Sequence, residues 1–255
     1  MKITFKNLGF SYSIDSIMMF QNQELSNFWM SSLFHFFPSL DREKLSSLDA
    51  LEKKEYLTST LKLIYDELEP EFAEKIVKYN DYFNLHKSQI EDAFSDAFGI
   101  DCKNNFNDIV GNITLNPICP RFLDKREFDI FYLNSERGAL GIALHEIIHF
   151  VWFDVWQNYF KDNKEDYEIP HIKWIFSEMA VYPIMRKDAR LSEINPYYGS
   201  NAAVYPYFYT MKIENEPILE TLYKMYCNSS NIIEFMESGY TYCLKYEKEI
   251  RNQME

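Results

Sequence analysis

The stretch from Gly138 to Phe153 reads GALGIALHEIIHFVWF, and the rest of the chain is interpreted outward from it. Its only ionisable side chains are His145, Glu146 and His149, which stand in an otherwise apolar run. Four residues along an α-helix turn the direction by about 40° and rise about 6 Å, so the two histidines share one face. Two imidazoles at that spacing can bind one tetrahedral Zn²⁺, and the glutamate between them can take a proton from the metal-bound water.

A metal ion also accounts for polar groups in an apolar helix. Each such group costs about 1 to 3 kcal/mol if it is buried without a partner, and one ion satisfies all three together. The alternative is a core helix whose histidines bond to backbone carbonyls. The run is too short and too interrupted for a membrane span, which needs about 20 apolar residues. We therefore predict one zinc ion per chain.

A catalytic zinc needs a third protein ligand, and the sequence must supply it downstream of the motif. The extended histidine form of the motif is absent, because Trp152 and Val155 stand where it requires Gly and His. Asp154 lies about 140° from the face of the two histidines. The best candidate is Glu178, which sits among apolar residues of the next predicted helix. The remaining alternatives are carboxylates of polar or later segments: Glu165, Glu168 and Glu193.

HEIIH followed by a glutamate on the next helix resembles the gluzincin class of zinc metallopeptidases, the thermolysin-like group. The resemblance covers roughly residues 108–209. It implies His145, His149 and Glu178 as metal ligands, Glu146 as general base, and a sheet edge beside the substrate cleft. It also implies a downstream Tyr or His that stabilises the oxyanion, for which the candidates are Tyr205, Tyr207 and, less favoured, His171.

Position 182 departs from the pattern of that class. Many members carry an Asp four residues after the ligand Glu, where it orients the first histidine, and this chain has Tyr182 there. The group that orients His145 is therefore expected elsewhere in the chain.

Composition limits the class of protein. Aromatic residues make up 17% of the 255 residues and glycines number only 7, which favours a packed, largely helical interior. The net charge of −13 disfavours binding to nucleic acid or to anionic membranes. The four cysteines form no CxxC pair, and polar residues interrupt the N-terminus, so we expect reduced thiols and a cytoplasmic location.

The predicted fold is α+β and predominantly helical, with a small mixed sheet packed on the HExxH helix. Residues 1–103 form a mainly helical N-terminal region and residues 104–255 a metallopeptidase-like catalytic region, and the alternative is that the two make one compact unit. Alternating apolar residues predict a strand pair within residues 2–14, and later strands at 108–115 and 127–133. Helical spacing begins at Gln23, and Pro70 is placed in the first turn of a new helix.

These features favour a zinc-dependent peptidase acting on a peptide or protein substrate, with no nucleic-acid or membrane partner. Two other functions stay open at this point. One is a regulatory or interaction module that binds zinc without proteolytic activity, and the other is hydrolysis of a non-peptide amide. Glu146 favours catalysis, because a structural zinc site has no need of a base there. The sequence does not determine the oligomeric state.

Overall fold

Most of the chain is helical, and a small mixed sheet accompanies a long N-terminal helical region, which confirms the predicted α+β class. The structure is a computed structural model, and it describes residues 1–20 and 26–254, with the backbone alone for residues 26–30. Its strands and helices, in chain order, are β1 (Ile3–Lys6), α1 (Phe10–Met18), α2 (Ser26–Phe36), α3 (Arg42–Ser47), α4 (Ala50–Phe98), α5 (Cys102–Asn105), β2 (Ile109–Thr114), β3 (Arg121–Phe122), β4 (Glu127–Phe131), α6 (Glu136–Phe160), α7 (Ile172–Lys187), α8 (Ala189–Ser192), α9 (Pro206–Thr210), β5 (Lys212–Ile213), β6 (Glu216–Pro217), α10 (Ile218–Asn228), α11 (Ile232–Lys245) and α12 (Glu247–Asn252).

The chain divides into two compact units. The first contains Met1, Asn84–Asn107 and Leu140–Glu255, and the second contains Lys2–Phe83 and Asp108–Ala139. Each unit therefore draws on residues from both sides of the boundary that was predicted at position 103.

The second unit holds the four-stranded sheet, whose strand order is β1-β2-β4-β3. Parallel pairing joins β1 to β2 and β2 to β4, whereas β3 pairs antiparallel with β4. The predicted strands at 108–115 and 127–133 are thus present as β2 and β4. Gly111 in β2 is needed for packing, because a Cβ there would lie 2.6 Å from Phe5 Cδ1.

The predicted strand pair within residues 2–14 is wrong in its second half. Residues after Gly9 form α1, and β1 pairs with β2 instead of with a neighbouring hairpin strand. Apolar residues at 10, 12 and 14 fit an alternating strand, but Ser13, Ile14, Ser16 and Ile17 are buried together on one helical face. The predicted start of the following helix at Gln23 lies outside the described residues.

The predicted helix boundary at Pro70 is also wrong, because α4 is a single helix of 49 residues that contains this proline. A proline inside a helix removes one backbone hydrogen bond and costs about 3 kcal/mol. Burial of apolar side chains continues on both sides of Pro70 and offsets that local preference. In the second unit these buried residues of α4 are Leu57, Leu61, Tyr65, Phe72, Tyr79 and Phe83.

The first unit is built around α6, α7 and α11, which share an aromatic core. Trp152 of α6 packs edge-on against Phe176 of α7 and Phe235 of α11, at ring-centroid distances of 5.2 and 6.0 Å. Gly239 lets α11 approach closely, since a Cβ there would lie 2.5 Å from Phe176 Cζ. This core fixes α6 and α7 side by side.

Within the described residues, α6 is the one helix long and apolar enough to cross a membrane by length and composition. Of its most apolar 18-residue window, 83% is buried within the structure. Burial of this extent is typical of the central helix of a soluble domain, so α6 is weak evidence for a membrane span.

Candidate metal centre

The helix that carries HEIIH begins next to a capping serine. Ser135 accepts a hydrogen bond from the backbone N–H of Gly138 at 3.2 Å, which caps the first turn of α6. From Gly138 to Trp156 most of the helix is buried, and His149 is fully inaccessible. His145, one turn earlier, keeps 21% of its side chain exposed, so the solvent side of the site is at His145.

The structure brings Glu178 to the two histidines. Its Oε2 lies 3.2 Å from His145 Nε2, and its Oε1 lies 3.4 Å from His149 Nε2. The two Nε2 atoms are 3.0 Å apart. Three ligand atoms bound to one tetrahedral zinc at 2.0–2.1 Å would lie about 3.3 Å from one another, so these separations suit a shared ion. Two nitrogens and one carboxylate oxygen are also the donor types that zinc prefers.

A hydrogen bond to the backbone orients His145. Its Nδ1 lies 3.0 Å from the carbonyl oxygen of Ala203. A carbonyl oxygen only accepts, so this contact places the proton on Nδ1 and, in the neutral ring, leaves the lone pair on Nε2. That lone pair points toward Glu178 and His149. A backbone carbonyl thus does what an Asp at position 182 would do in the class that the motif resembles.

The negative charges around His145 favour a positive charge in the cluster. Burial by itself would lower the pKa of His145, but the hydrogen bond to Glu178 and the charges of Glu146 and Glu178 raise that pKa further than burial lowers it. The site therefore stabilises positive charge between the ring and the carboxylate. A divalent ion would supply that charge and would compete with the proton for the same nitrogen.

Glu178 owes its position to α7, which is buried along nearly all of its length. Neighbouring Phe176, Met179 and Ala180 are fully buried, and Glu178 itself is 2% exposed. A carboxylate in such surroundings costs several kcal/mol unless a cation or hydrogen-bond donors compensate it. The position of Glu178 is therefore buried and unlike that of a surface glutamate, and it could hold a metal ion together with the two histidines.

Glu146 lies beside the two-histidine face and is 7% exposed. Its negative charge raises the pKa of His145, which places its carboxylate within electrostatic reach of the ring. A general base next to a metal-activated water needs such proximity, so Glu146 stays the candidate for that role.

The two candidate tyrosines flank the start of α9. Their rings stack at a centroid distance of 5.4 Å, and Tyr205 also contacts Trp174. Burial and the negative charge of Glu178 raise the pKa of Tyr207, so its hydroxyl lies near the cluster and stays protonated. Of the two tyrosines, Tyr207 is therefore the one whose pKa responds to the charge of Glu178.

The other candidates lie outside the cluster. His171 caps α7, where its Nε2 lies 3.4 Å from Asp166 Oδ1. Glu165 and Asn163 hydrogen-bond to each other in the loop before α7. Glu168 and Glu193 are exposed. In the part of the chain that the structure describes, His145, His149 and Glu178 form the group of histidine and acidic residues that could hold a metal ion.

Sequence reasoning missed the residues that hold the cluster from outside. Ala203 contributes through its backbone, for which no side-chain pattern exists. Gly141, on which the Tyr197 ring packs, could have been found from the sequence. A glycine one turn before His145 on the same helix face indicates that another part of the chain packs closely there.

Comparisons with known protein families, with curated proteins and with solved structures find no match to this chain. The side chains and geometry of the site are therefore the basis for a proposal about function.

Proposed function

We propose that this protein is a zinc-dependent hydrolase that cleaves peptide bonds, as the gluzincin resemblance implies. The observation that carries the proposal is the approach of His145 Nε2, His149 Nε2 and the Glu178 carboxylate to within 3.0–3.4 Å, with Glu146 beside them. A structural site would be closed by a fourth protein ligand, whereas a base next to three ligands is typical of catalysis.

A zinc ion held by these three residues would lower the pKa of a water molecule and polarise the scissile carbonyl. Glu146 accepts a proton from the attacking water as its oxygen bonds to the carbonyl carbon. As the carbon–nitrogen bond breaks, Glu146 returns that proton to the leaving amine. The products are a carboxylic acid and an amine, and no other reactant is required.

The remaining residues of the site orient His145 and stabilise the oxyanion. The Ala203 carbonyl keeps the His145 lone pair directed into the cluster. The hydroxyl of Tyr207, protonated because its pKa is raised, can donate a hydrogen bond to the oxyanion that develops on the carbonyl. Tyr205 supports the Tyr207 ring by stacking.

One observation favours the second candidate function, a zinc-binding regulatory or interaction module. His149 is inaccessible and Glu178 is 2% exposed, so access to the cluster is confined to the side of His145. A peptide substrate would have to enter there.

The test is a digest of a proteome-derived peptide library by the zinc-loaded wild type, read by mass spectrometry for new termini. Glu146→Gln should bind zinc as the wild type does and cleave at least about a hundredfold more slowly. Glu165→Gln, an exposed glutamate of the loop before α7, is the matched control and should cleave normally. Equal zinc binding with no cleavage by the wild type would favour the regulatory module.

A further inference from the structure

The backbone of Ala203, which orients His145, is itself held by a side chain. The Ala203 N–H donates to the hydroxyl of Tyr209 at 3.2 Å, while its carbonyl lies 3.0 Å from His145 Nδ1. Ala203 is 5% exposed, so both of its backbone groups take part in protein contacts. The orientation of the residue that meets His145 therefore depends on where the Tyr209 hydroxyl stands.

Tyr209 is in turn supported from α7. Its ring packs edge-on against Tyr182, with centroids 5.8 Å apart and planes at 88°. Tyr182 follows Glu178 by one helical turn, so the two lie on the same face of α7. Arg186 lies over the Tyr182 ring at 5.7 Å and donates to its hydroxyl at 3.4 Å. The support for Tyr209 is thus built on the helix that carries the third ligand.

We infer that Tyr209 is a positioning residue of the metal centre, acting on His145 through the Ala203 backbone. This inference rests on the proposed metal site and extends it to a group that touches neither metal nor substrate. It also explains Tyr182. The position where the resemblance leads one to expect an Asp carries a ring that braces Tyr209, and the orienting contact reaches His145 through the backbone instead.

The physical reason is the directionality of a metal bond. A ligand histidine binds well when its other nitrogen is held by an acceptor, and loss of such an outer partner typically lowers metal affinity by about 10- to 100-fold. Removing the Tyr209 hydroxyl frees the Ala203 N–H and lets the peptide rotate. The His145 ring then samples orientations in which Nε2 points away from Glu178.

The test is Tyr209→Phe, which removes the hydroxyl and keeps the ring against Tyr182. Zinc affinity, measured by competition with a chromophoric chelator, should fall by about 10-fold or more. In cobalt-substituted Tyr209→Phe, the Nδ1–H proton of His145 should exchange with water faster than it does in the cobalt-substituted wild type. The matched control is Tyr198→Phe, since Tyr198 contacts Tyr182 through its ring, and both readouts should stay as in the wild type.

Two results separate this inference from the proposed function. If the wild type binds zinc and Tyr209→Phe shows unchanged affinity and unchanged proton exchange, the positioning role is wrong and the metal site stands. If the wild type binds no zinc, the metal site and this inference both fail. Should Tyr209→Phe not fold, Tyr182→Leu keeps the hydroxyl and removes its support. This second variant should show a smaller but measurable loss of affinity, and unchanged affinity there overturns the inference.

Discussion

The ring of Tyr197 lies directly on Gly141, so close that a Cβ on Gly141 would be 2.6 Å from Tyr197 Cδ2. Gly141 precedes His145 by one helical turn on the same face of α6. Two hydrogen bonds from backbone N–H groups hold residues 195–202 in place. Tyr197 N–H donates to Asn195 Oδ1 at 2.9 Å, and Ala202 N–H donates to the Tyr197 carbonyl at 2.9 Å. Because Gly141 has no side chain, the stretch that contains Tyr197 can pack closely on α6. This close packing places the Ala203 carbonyl against His145.

Gly141→Ala should destabilise the protein and weaken its metal site. The added methyl overlaps the Tyr197 ring, and overpacking of this kind costs about 1–3 kcal/mol. Better helix propensity offsets about 1 kcal/mol of that cost. We expect a net loss of about 1 kcal/mol in the free energy of unfolding and a lower zinc affinity, measured by denaturation and chelator competition. Gly199→Ala, on the same segment with nothing within 4 Å of the new Cβ, should change neither.

His145, His149 and Glu178 should all be needed for zinc binding. Single alanine variants of His145, His149 and Glu178 should each lose zinc affinity by more than the 10- to 100-fold, roughly, that outer partners contribute. Elemental analysis of the purified proteins gives the zinc content. Zinc at one ion per chain in Glu178→Ala would remove that glutamate from the ligand set. Retention in both histidine variants would contradict the metal site as a whole.

Removal of zinc should lower the melting temperature. Free zinc at 100 times its dissociation constant adds about 2.7 kcal/mol to the stability of the folded state. For a chain of this size that corresponds to roughly 5–10 °C. Melting curves with and without a chelator, followed by circular dichroism, provide the measurement. Glu178→Ala should melt at the same temperature in both conditions, and an equal chelator effect on this variant would show that the ion acts elsewhere.

Asp129 makes the stability of the second unit depend on pH. Its carboxylate is fully buried between Tyr12 and Ser16, which both donate to it. Burial raises its pKa from 3.8 to about 6, although the hydrogen bonds from Ser16 and Tyr12 act in the opposite direction. The folded state therefore keeps a proton that the unfolded chain loses near pH 4. Stability from this group is greatest below that pH and falls as the pH rises toward about 6.

Asp129→Asn should remove this dependence. A difference of about 2 in pKa corresponds to roughly 3 kcal/mol when fully developed. The free energy of unfolding of the variant, relative to the wild type, should thus rise between about pH 4 and pH 7. Denaturation of the chelated proteins across that range measures it without interference from metal binding. Asp81→Asn, an exposed residue of the same unit, should run parallel to the wild type. A flat difference for Asp129→Asn would contradict the buried, protonated carboxyl.

Local periodicity explains which parts of the fold were predictable. The spacing of His145 and His149 follows from helix geometry alone, and the apolar runs at β2 and β4 are long enough to identify strands. The helix at α1 and the continuity of α4 through Pro70 were not predictable, because a local pattern fits both structures equally well there. In each case, burial against distant residues decided the outcome.

For the site, the sequence by itself determined the two histidines, the adjacent Glu146 and the apolar setting of Glu178, since each depends on neighbours within one or two helical turns. Only the tertiary structure decided the 3.2 and 3.4 Å approach of Glu178 to the histidines, because it requires α7 to pack against α6 across an aromatic core. The same is true of the contact between Ala203 and His145. A backbone carbonyl is present at every residue, so its partner is chosen by the path of the chain and not by the identity of the side chain.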